Sequence, residues 1–359
     1  MSRAPLPSRR HRLLAALSLL LVPAVLLATP GLAEAAPTRD RADAGAGWLG
    51  RQLDDESHVV VGQFGPAYGQ TADLVLALSA AGVGKGKTAA ATRALKAHVV
   101  DYTGGGDTDE YYAGSFAKLL VVAAARRTDP RAFGSSERSD LVAELRGLEC
   151  GPRRTDCAAA DRGRFSDISQ FGDFSNGITQ SLALLGLART TRTGPSVASV
   201  GFLLDQQCDN GAFPESFGTT TCTGSVDATG YAVQALTTVG TPAASAAAAD
   251  AGRWLARRQH DNGSFTGNET RNANSTALAA QAFDALDRPT RARQARAFLR
   301  SLQATCGAKP ALRGSLRHSR AEAGDRILAT TQAVPALARV TLGEVTSAGS
   351  VRGLPRLAC

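Results

Sequence analysis

The chain is 359 residues long, 43% hydrophobic and only 5% aromatic, with a formal net charge of +8. That is length and apolar content enough for a sizeable core. The basic excess is scattered over pairs such as Arg126-Arg127, Arg153-Arg154 and Arg257-Arg258, without the aromatic-interleaved groove of a nucleic-acid binder, so nucleic acid is excluded as a partner.

Arg9, Arg10 and Arg12 precede an apolar run, Leu13 to Ala28, and Ala33-Glu34-Ala35 follows as a small-x-small cleavage signature. Residues 1–36 therefore read as a secretory signal peptide, and the mature chain as secreted. The run carries Pro23 and is near the short limit for a membrane span. No later stretch is apolar for long enough, so no span is expected after cleavage. Ser8-Arg9-Arg10 hints at twin-arginine export, but Arg12 stands where that signal favours an apolar residue, which leaves the route open.

Residues 37–45 read as a short linker, and residues 46–345 divide into six units. Each unit closes with an Ala/Leu-rich helix, ending near Leu78, Leu120, Leu185, Leu236, Phe283 and Leu337. These second helices, such as Asp227 to Thr237, are small or apolar all round and so are predicted to be buried. The first helices, such as Asp250 to Gln259, are amphipathic. Stacked pairs of this kind bury what one pair cannot. Gly82, Gly186 and Gly240 are expected to stop inner helices.

Two units repeat a phrase. Phe202-Leu203-Leu204, Gln207, Asp209-Asn210-Gly211 and Phe213 match Trp254-Leu255-Ala256, Gln259, Asp261-Asn262-Gly263 and Phe265. The Asp-Asn-Gly segments suit turns, because these residues accept left-handed backbone angles. Gln207 and Gln259 are expected to cap carbonyls or to bond to the next repeat. Six cysteines follow the signal sequence. An even count in an exported chain suggests disulfides, with 15 full pairings open. Proximity favours Cys150–Cys157, Cys208–Cys222 and Cys306–Cys359, the last anchoring a tail at 346–359. No CxxC is present and the histidines are scattered, so no metal site is expected.

The repeated phrase resembles that of the squalene–hopene cyclase, protein prenyltransferase and cobalamin-binder superfamily, most sharply over 202–236 and 254–283. The resemblance implies an all-α fold, an α/α toroid of six inner and six outer helices with a central cavity opening at one end. It brings three templates. A prenyltransferase-like zinc site needs an Asp, a Cys and a His; His260 is the one histidine near a repeat motif, and no such set emerges. A class II cyclase protonates an alkene from an Asp-x-Asp-Asp motif, using a carboxyl kept protonated by burial and a neighbouring acid. Here the match is Asp107-Thr108-Asp109-Glu110, which departs at its last position. The 5% aromatic content is low for a cavity that guides cations, and a solvated acidic loop is the plainer reading.

The third template is the secreted intrinsic-factor and transcobalamin-like branch, which implies a corrinoid gripped between the toroid and a smaller β-rich domain. Only a short tail follows Val345, so a separate β-rich secreted partner would complete such a site. The favoured expectation is a non-catalytic binder of a small ligand, a corrinoid-like one among the candidates, or of a partner protein. No other cofactor is expected. The site would be the ring mouth, where inner-helix N-termini converge: Asn176, Asp227 and Asn274 with Thr71, Thr229 and Thr276, and Thr179 and Thr330 nearby. The alternative is a cyclase-like enzyme acting through Asp107, Asp109 and Glu110. Acid pairs for glycosidic cleavage, drawn from Asp167, Asp173, Glu215, Glu269 and Asp325, rest on fold analogy alone.

Overall fold

The computed structural model describes residues 36–359 apart from 107, 108, 153 and 155. Residues 1–35 of the expected signal peptide, and Asp107, lie outside the described residues. The helices are α1 Arg41–Gly50, α2 Tyr68–Ala81, α3 Lys85–Ala97, α4 Val99–Gly104, α5 Ala113–Arg126, α6 Leu141–Gly147, α7 Gly177–Thr190, α8 Val197–Asp205, α9 Val226–Val239, α10 Pro242–Arg258, α11 Ala273–Ala285, α12 Pro289–Leu302 and α13 Arg326–Ala338. Two short antiparallel hairpins, Val61–Gly62 with Gly65–Pro66 and Phe265–Gly267 with Thr270–Asn272, supply the peripheral sheet.

Helices α2, α5, α7, α9, α11 and α13 pack each against the next, and α13 packs back on α2, closing an inner ring of six. They are the six Ala/Leu-rich helices of the sequence. Apolar residues cover their whole circumference because neighbours lie on every side; in α11 every residue from Ala273 to Phe283 is buried. Helices α1, α3, α6, α8, α10 and α12 form the outer layer. Helix α10 packs on α9 and α11, α12 on α11 and α13, and α1 on α13 and α2, so the first outer helix fastens the seam of the ring.

One device recurs at four joints between units. The Gln207 amide donates to Gly211 O and to Ala247 O of the next outer helix, both at 2.9 Å. Gln259 does the same to Gly263 O and Arg291 O, and Gln303 to Gly314 O and Arg41 O. Gln180, reaching from the inner helix α7, does it to Gly163 O and Ser199 O. The turn glycine is needed twice over. At Gly263 φ is +82°, and a Cβ would stand 2.1 Å from Gln294 O of α12. A second recurring bond fixes the loop that enters five of the six inner helices. The backbone N–H of Val60, Phe213, Phe265 and Leu316 donates to the hydroxyl of Thr71, Thr229, Thr276 and Thr330 respectively, at 2.8–3.0 Å; Phe165 N–H uses Gln180 Oε1. Thr229→Val keeps the shape but leaves the buried Phe213 N–H unbonded. It is expected to cost about 1–3 kcal/mol, read as a lowered urea midpoint with unchanged slope; a midpoint equal to the parent's would refute this role.

Gly82 and Gly240 end α2 and α9 in left-handed geometry, at φ 66° and 70°. Gly186 does not stop its helix: α7 continues to Thr190. Its role is close approach, since a Cβ there would lie 2.8 Å from Leu120 Cβ on α5.

The chain after α13 seals the C-terminal end of the inner ring. Arg189 donates to Leu342 O and Val345 O, Leu342 N–H donates to Gln234 Oε1, and Ser347 N–H donates to Ala125 O. The tail then runs beneath α1, where Gly84 N–H donates to Gly353 O and Ala358 N–H to Thr38 O. Disulfides join Cys150 to Cys157, Cys208 to Cys222 and Cys306 to Cys359. Three such bonds fit an oxidising compartment. Among the described residues no helix is long and apolar enough to cross a membrane.

Candidate functional site

At the inner-helix N-termini a mouth of about 320 Å³ opens between α4, α5, α7 and α9, lined by Tyr102, Tyr112, Lys118, Phe174, Asn176 and Tyr231 among others. Below it the ring axis is filled. Leu76, Leu182, Leu278, Pro335 and Leu342 leave a cavity of only about 30 Å³, room for roughly one water. Lys118, Leu182 and Tyr231 border both spaces and so form the floor of the mouth.

The floor carries a half-buried ion pair. Lys118 Nζ lies 3.0 Å from Asp73, with the two side chains 21% and 16% exposed. Burial pulls the Lys118 ammonium down, but Asp73 and the Tyr102 and Tyr231 phenols outweigh it and hold the amine protonated above its ordinary value. Burial likewise raises both phenols, with Asp73 adding to the effect, so they stay neutral. Neither Asp73 nor Lys118 belongs to the expected site. The signal for them was present: each is the one charged residue of its inner helix ahead of the last turn, set in an otherwise small or apolar run.

The expected mouth residues divide. Asn176 lines the mouth and also caps α7: its Oδ1 accepts from Ile178 N–H and Thr179 N–H, both at 3.0 Å. The caps of α9 and α11 are Ser225 and Asn272, so Asp227 and Asn274 stand in the first turns instead. Asn274 donates to Gln332 Oε1 and its Oδ1 meets His318 Nδ1, both at 2.9 Å. Thr71, Thr229 and Thr276 are fully buried and hold the loops described above. Thr179 borders the mouth, while Thr330 is a loop holder.

Asp227 is a half-buried carboxylate whose Oδ1 is shut off from solvent. Burial pushes its carboxyl up; Ser275 and His318 oppose the shift, and Glu215 adds to it. A folded-state value above the unfolded one favours the fold while the acid is protonated, and that contribution is lost as pH rises through the folded value. Asp227→Asn is therefore expected to raise the melting temperature at neutral pH and to leave it unchanged in acid below the ordinary carboxylate range. A melting temperature at neutral pH no higher than the parent's would sink this account.

In the acidic cluster, Asp109 is exposed and Glu110 is buried. Glu110 Oε1 accepts from Gln170 N–H at 3.0 Å, and a bond from Ser169, then those from Gln170 and Tyr112, hold its carboxyl below the ordinary value despite burial. A proton donor needs the opposite shift. Asp167 is raised by burial, yet both its oxygens accept backbone N–H groups, from Ala113 and Phe174. His260 meets the Thr266 hydroxyl, and among the described residues no three His, Cys, Asp or Glu gather as metal ligands. A larger depression of about 530 Å³ lies on the outside, between α6 and α8. Several of its polar groups are tied to one another, Arg146 to Thr193 and Gly194 O and Ser196 to Glu149, and it lies away from the inner-helix N-termini, so the mouth is the better candidate.

Solved structures share this closed double ring. A type II terpene cyclase from Scytonema, in complex with geranylgeranyl dihydroxybenzoate, matches at 14% identity over 83% of this chain and 96% of that chain, with a TM-score of 0.60. An α-mannanase from Bacteroides thetaiotaomicron matches at 8% identity over 84% and 94%, also at 0.60. The chain is an α/α toroid. An ent-copalyl diphosphate synthase from Streptomyces platensis matches at 22% identity and a TM-score of 0.52; 77% of this toroid aligns, spanning 52% of the synthase. At these identities the likeness establishes the fold, which terpene cyclases and sugar-acting hydrolases share. No protein-family model matches the sequence, and no curated protein matches it.

Proposed function

We propose that this chain is an exported toroid that binds a small ligand at its mouth without transforming it. The observation that carries this reading is the contrast between the open mouth of about 320 Å³ and an axis with about 30 Å³ left. Ligand pockets begin at roughly 300 Å³, so the mouth can hold a small molecule and the axis cannot enclose one. Asn176 spends its Oδ1 on the cap and keeps its Nδ2 for a ligand. Tyr112 and Tyr231 offer a ring face and a hydroxyl each. Asp227, one inner helix farther round, extends the polar rim; Asn274, two helices round, is buried and bonded to Gln332 and His318, while Thr71, Thr229 and Thr276 hold the loops beneath it.

Two observations weigh against a cyclase acting through Asp109 and Glu110. The Glu110 carboxyl is held low, and the axis lacks the room that a geranylgeranyl chain, as bound by the Scytonema enzyme, would require. A corrinoid would overfill the mouth and would need a second surface above it from a separate β-rich partner.

Native mass spectrometry of the protein secreted by its own host tests the proposal. A bound small molecule is expected, lost in the Tyr112→Ala/Asn176→Ala double variant. The helical signal should persist apart from about 1 kcal/mol for the cap. An adduct retained by the folded variant, or a ligand released chemically altered, would overturn it.

A further inference from the structure

The mouth combines three features that together define a ligand chemistry. The first is its charge. Lys118 is the one cation among the described lining residues, and it is already matched by Asp73 at 3.0 Å. No positive charge is left for a phosphate, diphosphate or carboxylate, and Asp167 at the wall adds a negative one. A free anion is therefore disfavoured.

The second feature is the pattern of donors and acceptors at the floor. The Lys118 ammonium carries three donors, one of them held by Asp73 from the axial side, and Tyr102 and Tyr231 supply hydroxyls that both donate and accept. Adjacent hydroxyls on a ligand suit this juxtaposition: one accepts from the ammonium while its neighbour donates to a tyrosine hydroxyl. An ion pair taken partly out of water is costly to maintain unless such further hydrogen bonds satisfy it, and an apolar pair would have filled the axis as well.

The third feature is an apolar platform at the rim. Phe174 lines the mouth and is 63% exposed, and Phe171, three residues before it, is 68% exposed. Their loop is pinned. Arg164 Nη2 holds Asp173 Oδ2 at 2.6 Å, Asp173 Oδ1 accepts from Asp167 N–H and Ser175 N–H, and Asp167 Oδ2 accepts from Phe174 N–H. Residues Tyr111 and Ile168 exchange backbone bonds at 2.8 and 3.0 Å. Large apolar rings held outward on a fixed loop beside a polar pocket are poised for a flat ligand face rather than for the core.

We propose that the ligand is a neutral carbohydrate chain, with one sugar ring on Lys118 between the tyrosines and the following ring against Phe174 and Phe171. This rests on the mouth being the binding site and adds the class of molecule it takes. Vicinal hydroxyls meet the ammonium and the tyrosine hydroxyls, the apolar face of a pyranose meets the aromatic rings, and the absence of unmatched positive charge selects against uronates and isoprenoid diphosphates.

The test titrates the intact secreted protein, by calorimetry, with neutral gluco-, manno- and galacto-oligosaccharides of one to six rings. Hydroxocobalamin, geranylgeranyl diphosphate and a uronate oligosaccharide run as separate arms. At least one neutral series is expected to bind, with affinity rising about tenfold or more between one ring and three. Phe174→Ala, at an exposed position the fold does not need, should flatten that rise. Asp73→Asn should weaken the single ring, with circular dichroism confirming that the variant folds. If Asp73→Asn does not fold, Tyr112→Ala serves in its place. Affinity independent of chain length, or untouched by Phe174→Ala, overturns the platform. Binding of hydroxocobalamin, the diphosphate or the uronate at the mouth, with no neutral sugar binding, overturns the carbohydrate assignment and leaves the mouth standing. No binding in any arm, together with no ligand on the native protein, removes both.

Discussion

Lys118→Met is expected to destabilise the fold by about 3–5 kcal/mol, more than an ordinary substitution at a half-polar site. The reason is the partner left behind. Asp73 would remain 16% exposed on the inner ring with its carboxylate unmatched, and the Tyr102 and Tyr231 phenols would have lost the ammonium beside them. The double variant Asp73→Leu/Lys118→Met removes both charges and fills the axis with apolar atoms. It is expected to be near the parent in stability or above it, because replacing a buried pair by packed hydrophobic groups is often neutral or favourable. Chemical denaturation of the three proteins gives the cycle. A single variant as stable as the double would mean that solvent reaches Asp73 freely, contrary to the floor described above. The pair is not a pH sensor at physiological values. Raising the Lys118 value stabilises the fold fully below the lysine's unfolded value and fades only as pH climbs through the still higher folded one.

Cys306→Ser/Cys359→Ser is expected to cost about 4 kcal/mol, from the chain-entropy estimate for a closed loop of this size. The bond spans 53 residues, the longest of the three, and what it encloses is the seam. The tail it anchors passes beneath α1 and bonds Gly84 and Thr38, and Arg51 Nη1 donates to Leu354 O and Pro355 O. Gly47 leaves the space for this path: a Cβ there would overlap the Pro355 carbonyl. The loss should appear as a fall of several degrees in melting temperature and as early proteolysis within residues 350–359. Cys150→Ser/Cys157→Ser, closing a loop with a separation of only 7, should cost less. Equal losses for the two would show that loop length is not what these bonds act through.

Much of the ring was readable from residue spacing. A helix that is apolar all round has to be surrounded, and six of them separated by amphipathic partners read as stacked helix pairs; the closed double ring was what the resemblance implied. The Asp-Asn-Gly phrase marked two of the four glutamine joints. The other two escaped because their glycine and glutamine are not four residues apart. At one joint Gln303 pairs with Gly314; at another Gln180 reaches back to Gly163 from α7. The geometry is the same, but no common sequence spacing encodes it. The threonines looked like a ligand ring for a related reason. Their recurrence at inner-helix N-termini is real, and its cause is the loop N–H that each must satisfy.

The sequence by itself determined the helices, their burial and the order of the units, because periodicity and turn chemistry act over a few residues. Tertiary structure alone decided that the axis is filled and where the mouth lies. Lys118 meets Asp73 across 45 residues of chain, and Leu342 enters the axis from beyond the last helix. Such contacts exist only once α13 has closed on α2, and no local spacing records the closure.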